Sequence, residues 1–534
     1  MPQNILLSAP ATHGLPAYMT RNGGDIMLQI KHLTIRHKKD YRILLEDFSL
    51  NLNPGDKCAL IGEEGNGKST LLKLLYAPAL AEDYVEYEGE ILCAGERFGY
   101  LPQELPETLR HSSIYEYLSA ADNFYDQHPS ELASLCTKLR FPLERLYSEE
   151  PMGVLSGGEK IKVQLIRLFI DHPTILLLDE PSNDLDIETL EWLEDFILDT
   201  KIPLIYISHD ETLLERTANK LIHIEQLRRK TAPRCTVVQT DYQSYLRQRR
   251  LQFDKQEQEA KNERRAYDKQ MEKFRKIQQK VEHQQNAISR QDPHGAALLK
   301  KTMHRVKAYE ARFEKEFETM TEMPEYEEAM FTKFGSQGFI PNGKIVLDFT
   351  LDTLRIPEAT LSRDIHLFIQ GAEHICITGK NGSGKTTLMR ILARELLQRS
   401  DLKAAYMPQN YEELLDLSLT PVEFLSDGSK ESISMMRTYL GSMKFTADEM
   451  THPMRELSGG QRAKVMLLYL DTSGCDVLLL DEPSRNFSPL SNPVIRRMLS
   501  AYQGAIISIS HDRKYIAEVC DKVYELTAEG LMQR

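Results

Sequence analysis

The fold class of this chain follows first from the glycine-rich loop Gly62-Glu63-Glu64-Gly65-Asn66-Gly67-Lys68-Ser69-Thr70. It follows the apolar run Cys58-Ala59-Leu60-Ile61 and precedes Leu71-Leu72, so it matches GxxxxGK[ST] in a strand–loop–helix setting. Such a loop wraps phosphate groups with backbone N–H groups, and the helix N-terminus adds a favourable dipole. We therefore predict that Lys68 reaches the β- and γ-phosphates of a nucleotide and that Ser69 binds Mg²⁺.

A second apolar run, Ile175-Leu176-Leu177-Leu178, ends in Asp179 and Glu180. A buried parallel strand that ends in two carboxylates places them at the carboxyl edge of the sheet, beside the phosphate loop. Asp179 is expected to bind Mg²⁺, and Glu180 is expected to act as the general base that polarises the attacking water. Without the phosphate loop, two acids after a strand would more often be a solvated strand end.

Between these motifs lies Leu155-Ser156-Gly157-Gly158-Glu159, before a helix predicted for Lys160 to Ile170. The series resembles the signature motif of the ATP-binding-cassette (ABC) superfamily, another helix N-terminus suited to a phosphate. The resemblance implies that Gln103 is the Q-loop residue and that His209 contacts the γ-phosphate. A lone histidine is usually a surface or core residue, so this role depends on its place in the series. Tyr41 either stacks on adenine or is a plain surface tyrosine.

The same motifs return in the same order in the second half of the chain. The predicted catalytic residues are Glu180, Glu482, His209 and His511. The predicted nucleotide-binding residues are Gly62, Gly65, Asn66, Gly67, Lys68, Ser69, Thr70, Gln103, Ser156, Gly157, Gly158, Gly379, Asn381, Gly382, Ser383, Gly384, Lys385, Thr386, Thr387, Gln409, Ser458, Gly459 and Gly460. The predicted Mg²⁺ ligands are Ser69, Gln103, Asp179, Thr386, Gln409 and Asp481.

This repetition predicts an α/β fold with two tandem ABC-type P-loop ATPase domains joined by a long α-helical hairpin. The predicted order is a disordered lead-in (1–26), the first ATPase domain (27–240), the hairpin linker (241–325) and the second ATPase domain (326–534). In the ABC family each signature motif completes the ATP site of the other domain. The resemblance therefore implies two shared sites with ATP and Mg²⁺ as cofactors, in a monomer whose two domains pair with each other.

The two copies differ in ways that predict unequal sites. The first phosphate loop carries Glu63 and Glu64, where a basic residue and Asn are commoner. Two acids near ATP phosphates are unfavourable unless they point to solvent. After Asp481-Glu482-Pro483 the second copy reads Ser484-Arg485-Asn486-Phe487-Ser488 and lacks the Leu-Asp pair that the first copy has at Leu185-Asp186, in the segment resembling the D-loop.

Composition narrows the class of protein. The 534 residues carry a net charge of −13, which argues against a globally basic nucleic-acid binder but not against a local basic arm. No uninterrupted apolar run is long enough for a membrane span. The seven cysteines are scattered without a CxxC pair, as in a reduced cytoplasmic protein. The first 26 residues lack the pattern of a signal peptide.

The middle stretch, 241–325, is rich in Lys, Arg, Glu and Gln, with a sparse apolar stripe that suggests a coiled-coil partner. It predicts one helix from Asp241 to about Gln285, a break at Ser289–Gly295, and a second helix from about Ala296 to Thr321. A charge run is often only a solvated helix face, but a hairpin with a basic tip suits RNA phosphates. The predicted RNA-binding residues are Arg290, His294, Lys300, Lys301, Arg305 and Lys307.

The hairpin, the short segments between each Q-loop and signature, and the variant Arg485-Asn486-Phe487-Ser488-Pro489 resemble the antibiotic-resistance branch of the ABC-F family. The resemblance implies a ribosome-protection factor that binds the E site of the 70S ribosome. Its linker tip would act near 23S rRNA and P-site tRNA, displacing lincosamides, pleuromutilins or streptogramin A from the peptidyl-transferase centre. It further implies translation-associated action in the cytoplasm, with no membrane and no DNA partner.

Three alternatives stay open. The nearest is a housekeeping ABC-F translation factor that modulates P-site tRNA, which the short Q-loop-to-signature segments disfavour. The ATPase subunit of a membrane exporter would need a separate membrane partner and would leave the basic hairpin without a role. A DNA-repair or chromosome ATPase usually has a far longer coiled coil.

Overall fold

The computed structural model describes residues 26–324 and 339–534, except 94, 228–231, 288–300, 358 and scattered positions between 302 and 319. The chain divides into two compact units. The first unit contains Met1–Tyr242 and Glu327–Arg534, which include both predicted ATPase domains, and the second contains Gln243–Tyr326. In the described part of the chain, no helix is both long and apolar enough to cross a membrane.

The first ATPase domain has a mixed six-stranded sheet and a smaller antiparallel sheet. The six-stranded sheet has the order β5-β6-β7-β3-β8-β9, in which only β9 runs antiparallel to its neighbour, and the smaller sheet has the order β2-β1-β4. The strands are β1 (Leu28–His37), β2 (Ile43–Leu52), β3 (Lys57–Ile61), β4 (Val85–Cys93), β5 (Phe98–Leu101), β6 (Ile175–Asp179), β7 (Leu204–Ile207), β8 (Lys220–Gln226) and β9 (Ala232–Val238).

Six α-helices accompany these strands. They are α1 (Lys68–Tyr76), α2 (Ile114–Ser119), α3 (Pro129–Lys138), α4 (Gly157–Ile170), α5 (Ile187–Asp199) and α6 (Glu211–Thr217). Helix α4 begins before the predicted Lys160, because Ser156 and Glu159 form a reciprocal capping box that satisfies the first backbone N–H groups. The signature glycines therefore lie inside the first turn of the helix.

The second ATPase domain repeats this plan. Its six-stranded sheet has the order β13-β14-β15-β12-β16-β17, and β10 pairs with β11 beside it. The strands are β10 (Ile345–Ile356), β11 (Ala359–Gln370), β12 (His374–Thr378), β13 (Ala404–Met407), β14 (Val477–Asp481), β15 (Ala505–Ile509), β16 (Lys522–Thr527) and β17 (Gly530–Gln533). After the linker helix α7 (Tyr242–Ala287), the helices are α8 (Lys385–Leu397), α9 (Pro421–Leu425), α10 (Lys430–Ser442), α11 (Gly459–Ser473), α12 (Asn492–Ser500) and α13 (Arg513–Val519).

The two large sheets position equivalent groups at equivalent edges. In each, the strand before the phosphate loop lies between two parallel neighbours, β3 between β7 and β8, and β12 between β15 and β16. The acid-bearing strands β6 and β14 are buried along their whole length, as expected for strands covered on both faces. The carboxyl ends of these strands therefore meet beside the phosphate loops. The predicted fold class is confirmed for these two domains.

The second unit is built on α7, whose 46 residues span about 70 Å at 1.5 Å per residue. The described residues between 301 and 317 are helical. They pack on α7 through Phe274 and Val306, with the Phe274 and Phe313 ring centroids 5.4 Å apart. Farther along, Glu263 accepts a hydrogen bond from the Thr321 backbone at 2.7 Å. The two arms are therefore antiparallel over this stretch.

Candidate nucleotide sites

The first phosphate loop joins β3 to α1 with backbone geometry that requires glycine. Gly62 has φ +148°, and a Cβ there would lie 2.3 Å from the Ile224 carbonyl oxygen. Gly67 precedes α1 in the left-handed region, at φ +90°. The Lys68 ammonium donates to the carbonyl oxygens of Gly62 and Glu63 at 2.8 and 3.0 Å. The lysine is therefore held within the loop that is predicted to bind phosphates.

The carboxylates at the end of β6 lie beside this loop. The Ser69 hydroxyl donates to Asp179 Oδ1 at 3.0 Å, and the Tyr100 hydroxyl donates to Asp179 Oδ2 at 3.2 Å. Burial raises the pKa of Asp179 to about 6, although the Ser69 hydrogen bond opposes the rise. A hydroxyl and a carboxylate in contact are hard oxygen donors of the kind that Mg²⁺ prefers. The predicted ligands Ser69 and Asp179 are thus adjacent.

Glu180 is surrounded by hydrogen-bond donors. It is only 9% exposed and accepts from Gln103 at 3.1 Å, from His209 Nε2 at 3.1 Å, and from the Asn183 amide. Burial alone would raise the pKa of Glu180, but the His209 ring lowers it to about 2 together with weaker contributions from Lys68 and Asn183. Gln103 therefore contacts the predicted base, while Ser69 and Tyr100 contact Asp179.

The other ring nitrogen of His209 reaches the second domain. Nδ1 donates to the Phe487 backbone carbonyl oxygen at 2.6 Å, and the Asn492 amide donates to the His209 carbonyl oxygen at 3.4 Å. The variant segment after Glu482 thus supplies a backbone acceptor to the opposite domain, a role that the residue types in the sequence did not indicate.

The side chains of the acidic pair, Glu63 and Glu64, turn toward the second signature helix. Glu64 Oε2 accepts a hydrogen bond from the Gly460 backbone N–H at 2.5 Å, and Glu63 Oε1 lies 3.4 Å from the Lys464 ammonium. Gly460 and Lys464 belong to α11, the second signature helix. The partial positive charge of a helix N-terminus stabilises a carboxylate there, which is the physical reason for this orientation.

The second phosphate loop repeats the first with different neighbours. Lys385 donates to the carbonyl oxygens of Gly379 and Lys380 at 2.8 and 2.9 Å. Asn381, which occupies the position of Glu64, donates through its backbone N–H to Asp186 at 3.3 Å and through its amide to the Asp184 carbonyl oxygen. These acceptors belong to the D-loop segment of the first domain. The second phosphate loop therefore presents the hydrogen-bond donors of Asn381 to the opposite domain, whereas the first phosphate loop presents the carboxylates of Glu63 and Glu64.

The pKa of Glu482, at the end of β14, is higher than that of its counterpart Glu180. Burial and the neighbouring Asp481 raise the pKa of Glu482 to about 8, against the opposing charge of Lys385. Burial also raises the pKa of Asp481 to about 6, against a hydrogen bond from Thr386. Asp481 Oδ2 is buried and has no hydrogen-bond partner among the described residues, so this oxygen is free to bind a cation.

His511 is held more loosely than His209. Its Nε2 lies 3.8 Å from Glu482 Oε1, and its buried Nδ1 has no hydrogen-bond partner within the described chain. Burial and the nearby Lys385 lower the pKa of His511 to about 4, so this ring is neutral near pH 7. The predicted base and histidine are thus together in both domains, but they are within hydrogen-bond distance, at 3.1 Å, in the first and 3.8 Å apart in the second.

We call the first phosphate loop with the second signature the first composite site, and the second loop with the first signature the second composite site. The second contains a cavity of about 740 Å³. The cavity is lined by residues of both domains, among them Ser156, Gly157, Asn381, Gly382, Gly384, Lys385, Thr386, Thr387, Gln409, Asp481, Glu482 and His511. This volume is in the range of small-molecule sites, about 300–1,000 Å³.

At the first composite site the cavity beside the second signature is about 30 Å³. Its lining includes both members of the acidic pair together with Ser458, Gly460, Lys464 and Phe487. Ser458 is the N-cap of α11 and forms a capping box with Gln461. The acidic pair therefore occupies the space between the first phosphate loop and the second signature helix.

Ion pairs also join the two domains, and one of them involves Arg496 and Glu211, which the motifs did not identify. Arg496 donates to Glu211 at 2.5 and 3.2 Å, and each side chain is only 3% exposed. Arg485, from the variant segment, pairs with Asp184 at 2.9 Å. Arg496 lies on α12, and its role in joining the two domains is evident only from its contact with Glu211.

Most predicted RNA-binding residues lie outside the described chain, namely Arg290, His294, Lys300, Arg305 and Lys307. Lys301 is described and is exposed on a helical segment. The predicted break at 289–295 also lies outside it. Tyr41 is 75% exposed, so the structure brings it to neither a core nor a described cavity lining.

Comparisons with known proteins agree with this architecture. A family model described as ABC transporter matches residues 45–183 and 362–485. The ribosome protection protein VmlR of Bacillus subtilis (strain 168) is 28% identical over 530 residues, which cover 95% of this chain and 88% of that protein. The probable ATP-binding protein YheS of Escherichia coli (strain K12) is 27% identical over 543 residues, covering 93% and 78%.

The fold also resembles a solved structure of the archaeal ribosome recycling factor aABCE1 in complex with the ribosomal stalk protein aP1. The TM-score is 0.57 at 17% identity, covering 94% of this chain and 90% of that one, and the likeness shows the fold. Two repeated phosphate-loop domains of this kind define a P-loop ATPase of the ABC type, as predicted. Among such proteins, the chain is an ABC-F family ATPase.

Proposed function

We propose that this chain is an ATP-dependent ribosome-protection factor. The similarity to a ribosome protection protein, which extends over 95% of the chain, carries the proposal. The charge distribution supports it, because α7 carries twelve Lys or Arg against seven Asp or Glu in a chain of net charge −13. A basic helical linker on an acidic protein gives a local surface for RNA phosphates and limits non-specific RNA binding elsewhere.

The proposed roles of the site residues rest on the ABC motifs in which they lie. Lys68 and Lys385 bind the β- and γ-phosphates, and Mg²⁺ is held by Ser69 with Asp179 and by Thr386 with Asp481. Glu180 and Glu482 orient and polarise the attacking water, while His209 and His511 contact the γ-phosphate. Gln103 and Gln409 contact the nucleotide–Mg²⁺ group. ATP binding favours the closed pair of domains on the ribosome, and hydrolysis favours release.

On the ribosome, the two ATPase domains bind in the E site and the linker tip reaches toward the peptidyl-transferase centre. The tip acts near 23S rRNA and P-site tRNA and displaces lincosamides, pleuromutilins or streptogramin A. The residues proposed to contact RNA are Arg290, His294, Lys300, Lys301, Arg305 and Lys307.

The test is growth inhibition of a drug-sensitive Gram-positive host that expresses the chain. We expect raised tolerance to at least one lincosamide, pleuromutilin or streptogramin A, because ATP-driven binding allows the tip to displace drug. The Glu180→Gln/Glu482→Gln variant should bind ATP but lose this tolerance. A macrolide outside the proposed classes is the drug control. Unchanged sensitivity with the wild-type chain present on ribosomes would contradict drug protection.

Deleting residues 287–298 tests the function of the linker tip separately from that of the ATPase domains. ATP hydrolysis by the purified deletion variant should stay near the wild-type rate, because the deletion lies outside the unit that holds both ATP sites. Drug tolerance should be lost. A deletion variant that still protects the host would show that the tip is not the effector.

A housekeeping translation factor is the second candidate. Its support is that YheS, whose name gives ATP binding and no drug protection, is 27% identical to this chain, close to the 28% of the protection protein. Ribosome co-sedimentation without any change in drug tolerance would select this alternative. Co-sedimentation with membranes or DNA instead of ribosomes would contradict both candidates.

A further inference from the structure

The two phosphate loops differ in charge at the two positions after their first glycine. Glu63 and Glu64 in the first loop correspond to Lys380 and Asn381 in the second. In the folded chain both members of the acidic pair turn toward α11, where Gly460 donates to Glu64 at 2.5 Å. This contact joins residues that are 396 positions apart in sequence, so it depends on the packing of one domain against the other.

The amide that binds Glu64 belongs to the second signature motif, at the N-terminus of a 15-residue helix. Backbone N–H groups and the helix dipole make this end attractive to an anion. Glu64 supplies that anion from within the chain, and its carboxylate oxygens also lie 3.3 and 3.4 Å from the position of a Cβ at Gly459. A nucleotide phosphate directed at the same N–H groups must displace the carboxylate.

A second contact strengthens this arrangement. Glu63 pairs with Lys464, a lysine of α11 whose side chain is only 10% exposed. On the other side, Lys68 experiences the negative charges of Glu180, Glu64, Asp179 and Glu63. Lys385 also lies near carboxylates, those of Glu482, Asp186 and Asp481, so the charge that distinguishes the first loop is the acidic pair. The acidic pair adds direct repulsion toward phosphate oxygens.

The second composite site has none of these carboxylates on its phosphate loop. Its Asn381 donates two hydrogen bonds to the opposite domain, and a cavity of about 740 Å³ is lined by Lys385, Thr386 and Asp481. The charge of the loop and the presence of this cavity both favour nucleotide binding at the second composite site.

We propose that Glu64 is a built-in competitor of nucleotide phosphate at the second signature helix, so that the first composite site binds ATP far more weakly than the second. The acidic pair thereby determines which site responds to ATP. This proposal concerns the ATPase domains alone and does not depend on a role at the ribosome.

The test is equilibrium dialysis of the purified full-length chain against radiolabelled AMP-PNP with Mg²⁺. The wild-type chain should bind one equivalent tightly and a second at least about tenfold more weakly, the ratio expected when one charge-assisted hydrogen bond must be displaced. In Glu64→Asn, which gives the first loop the residue of the second, the two affinities should converge. Glu64→Gln keeps the side-chain shape without its charge and should give the same result.

Glu46→Gln is the matched control, because it removes one negative charge from an exposed position on β2. Its two affinities should keep the wild-type ratio. Equal affinities in the wild-type chain would overturn the proposal. So would a wild-type ratio in both Glu64 variants, or a convergence in Glu46→Gln as large as theirs.

Discussion

The two composite sites are assembled from the same motifs but differ in what crosses between the domains. At the first, carboxylates of the acidic pair approach the opposite signature helix, and the base Glu180 is bound by three donors. At the second, Asn381 binds the opposite D-loop segment, Glu482 has a pKa of about 8, and a cavity of about 740 Å³ lies between the parts. Repetition of motifs in a sequence therefore does not guarantee repetition of function.

The largest expected effect comes from removing the bases one at a time. Glu482→Gln should lower the ATPase kcat by about 10²–10⁴-fold, the usual contribution of a general base. Glu180→Gln should cause a much smaller loss, because the site it serves binds ATP weakly. Steady-state phosphate release by the purified chain measures both. Equal losses, or a larger loss in Glu180→Gln, would break the proposed difference between the sites.

The buried ion pair Arg496–Glu211 joins the two domains, so its removal should affect the stability of the whole chain and not one composite site. Arg496→Met should destabilise the chain by about 3–5 kcal/mol, because Glu211 is left buried with fewer partners. The double variant Arg496→Met/Glu211→Leu should recover much of this loss, as measured by the midpoint of denaturant unfolding. The ratio of the two AMP-PNP affinities should stay unchanged in the single variant. A shift in that ratio would show that the pair acts on one site only.

Replacing the phosphate-loop lysines should change AMP-PNP affinity by a smaller factor than the loss of kcat expected for Glu482→Gln. Lys385→Ala should weaken the tightest AMP-PNP binding by about 10–100-fold, since it removes a charge-assisted contact to phosphate. Lys68→Ala should leave the tightest binding nearly unchanged and affect only the weak second equivalent. Isothermal titration calorimetry distinguishes the two variants. Tight binding that depends on Lys68 instead would reverse the assignment of the sites.

The smallest expected effect belongs to the half-exposed pair Arg485–Asp184, whose side chains are 28% and 55% exposed. Solvent screens such a pair, so Arg485→Ala should change nucleotide affinity at the second composite site by no more than about fivefold, or about 1 kcal/mol. The same titration provides the measurement, with Lys385→Ala as the reference for a large loss. A loss as large as that of Lys385→Ala would give Arg485 a direct role in binding nucleotide.

The sequence predicted the parts of these sites that depend on local pattern. The two phosphate loops, the buried strands that end in Asp179-Glu180 and Asp481-Glu482, and the long helix after Asp241 all appear where their residue patterns indicate. Each follows from residues that are neighbours in sequence, because glycine geometry, strand burial and helix propensity are local properties.

The contacts between the domains were not predictable in this way. The partner of Glu64 is a backbone N–H, and that of His209 Nδ1 is a backbone carbonyl, so neither is marked by a residue type. The sequence indicated that the acidic pair is unfavourable beside phosphate unless it points to solvent, but it did not indicate the attraction of a distant helix N-terminus. Arg496 and Glu211 resemble ordinary surface charges until the domains are packed together.

A structure determined with one molar equivalent of AMP-PNP and Mg²⁺ per chain tests the difference between the two composite sites most directly. We expect nucleotide density at the second composite site, in contact with Lys385, with the Glu64 carboxylate still on the Gly460 N–H. Density of equal strength at both sites, or density at the first site with Glu64 displaced, would contradict this expectation.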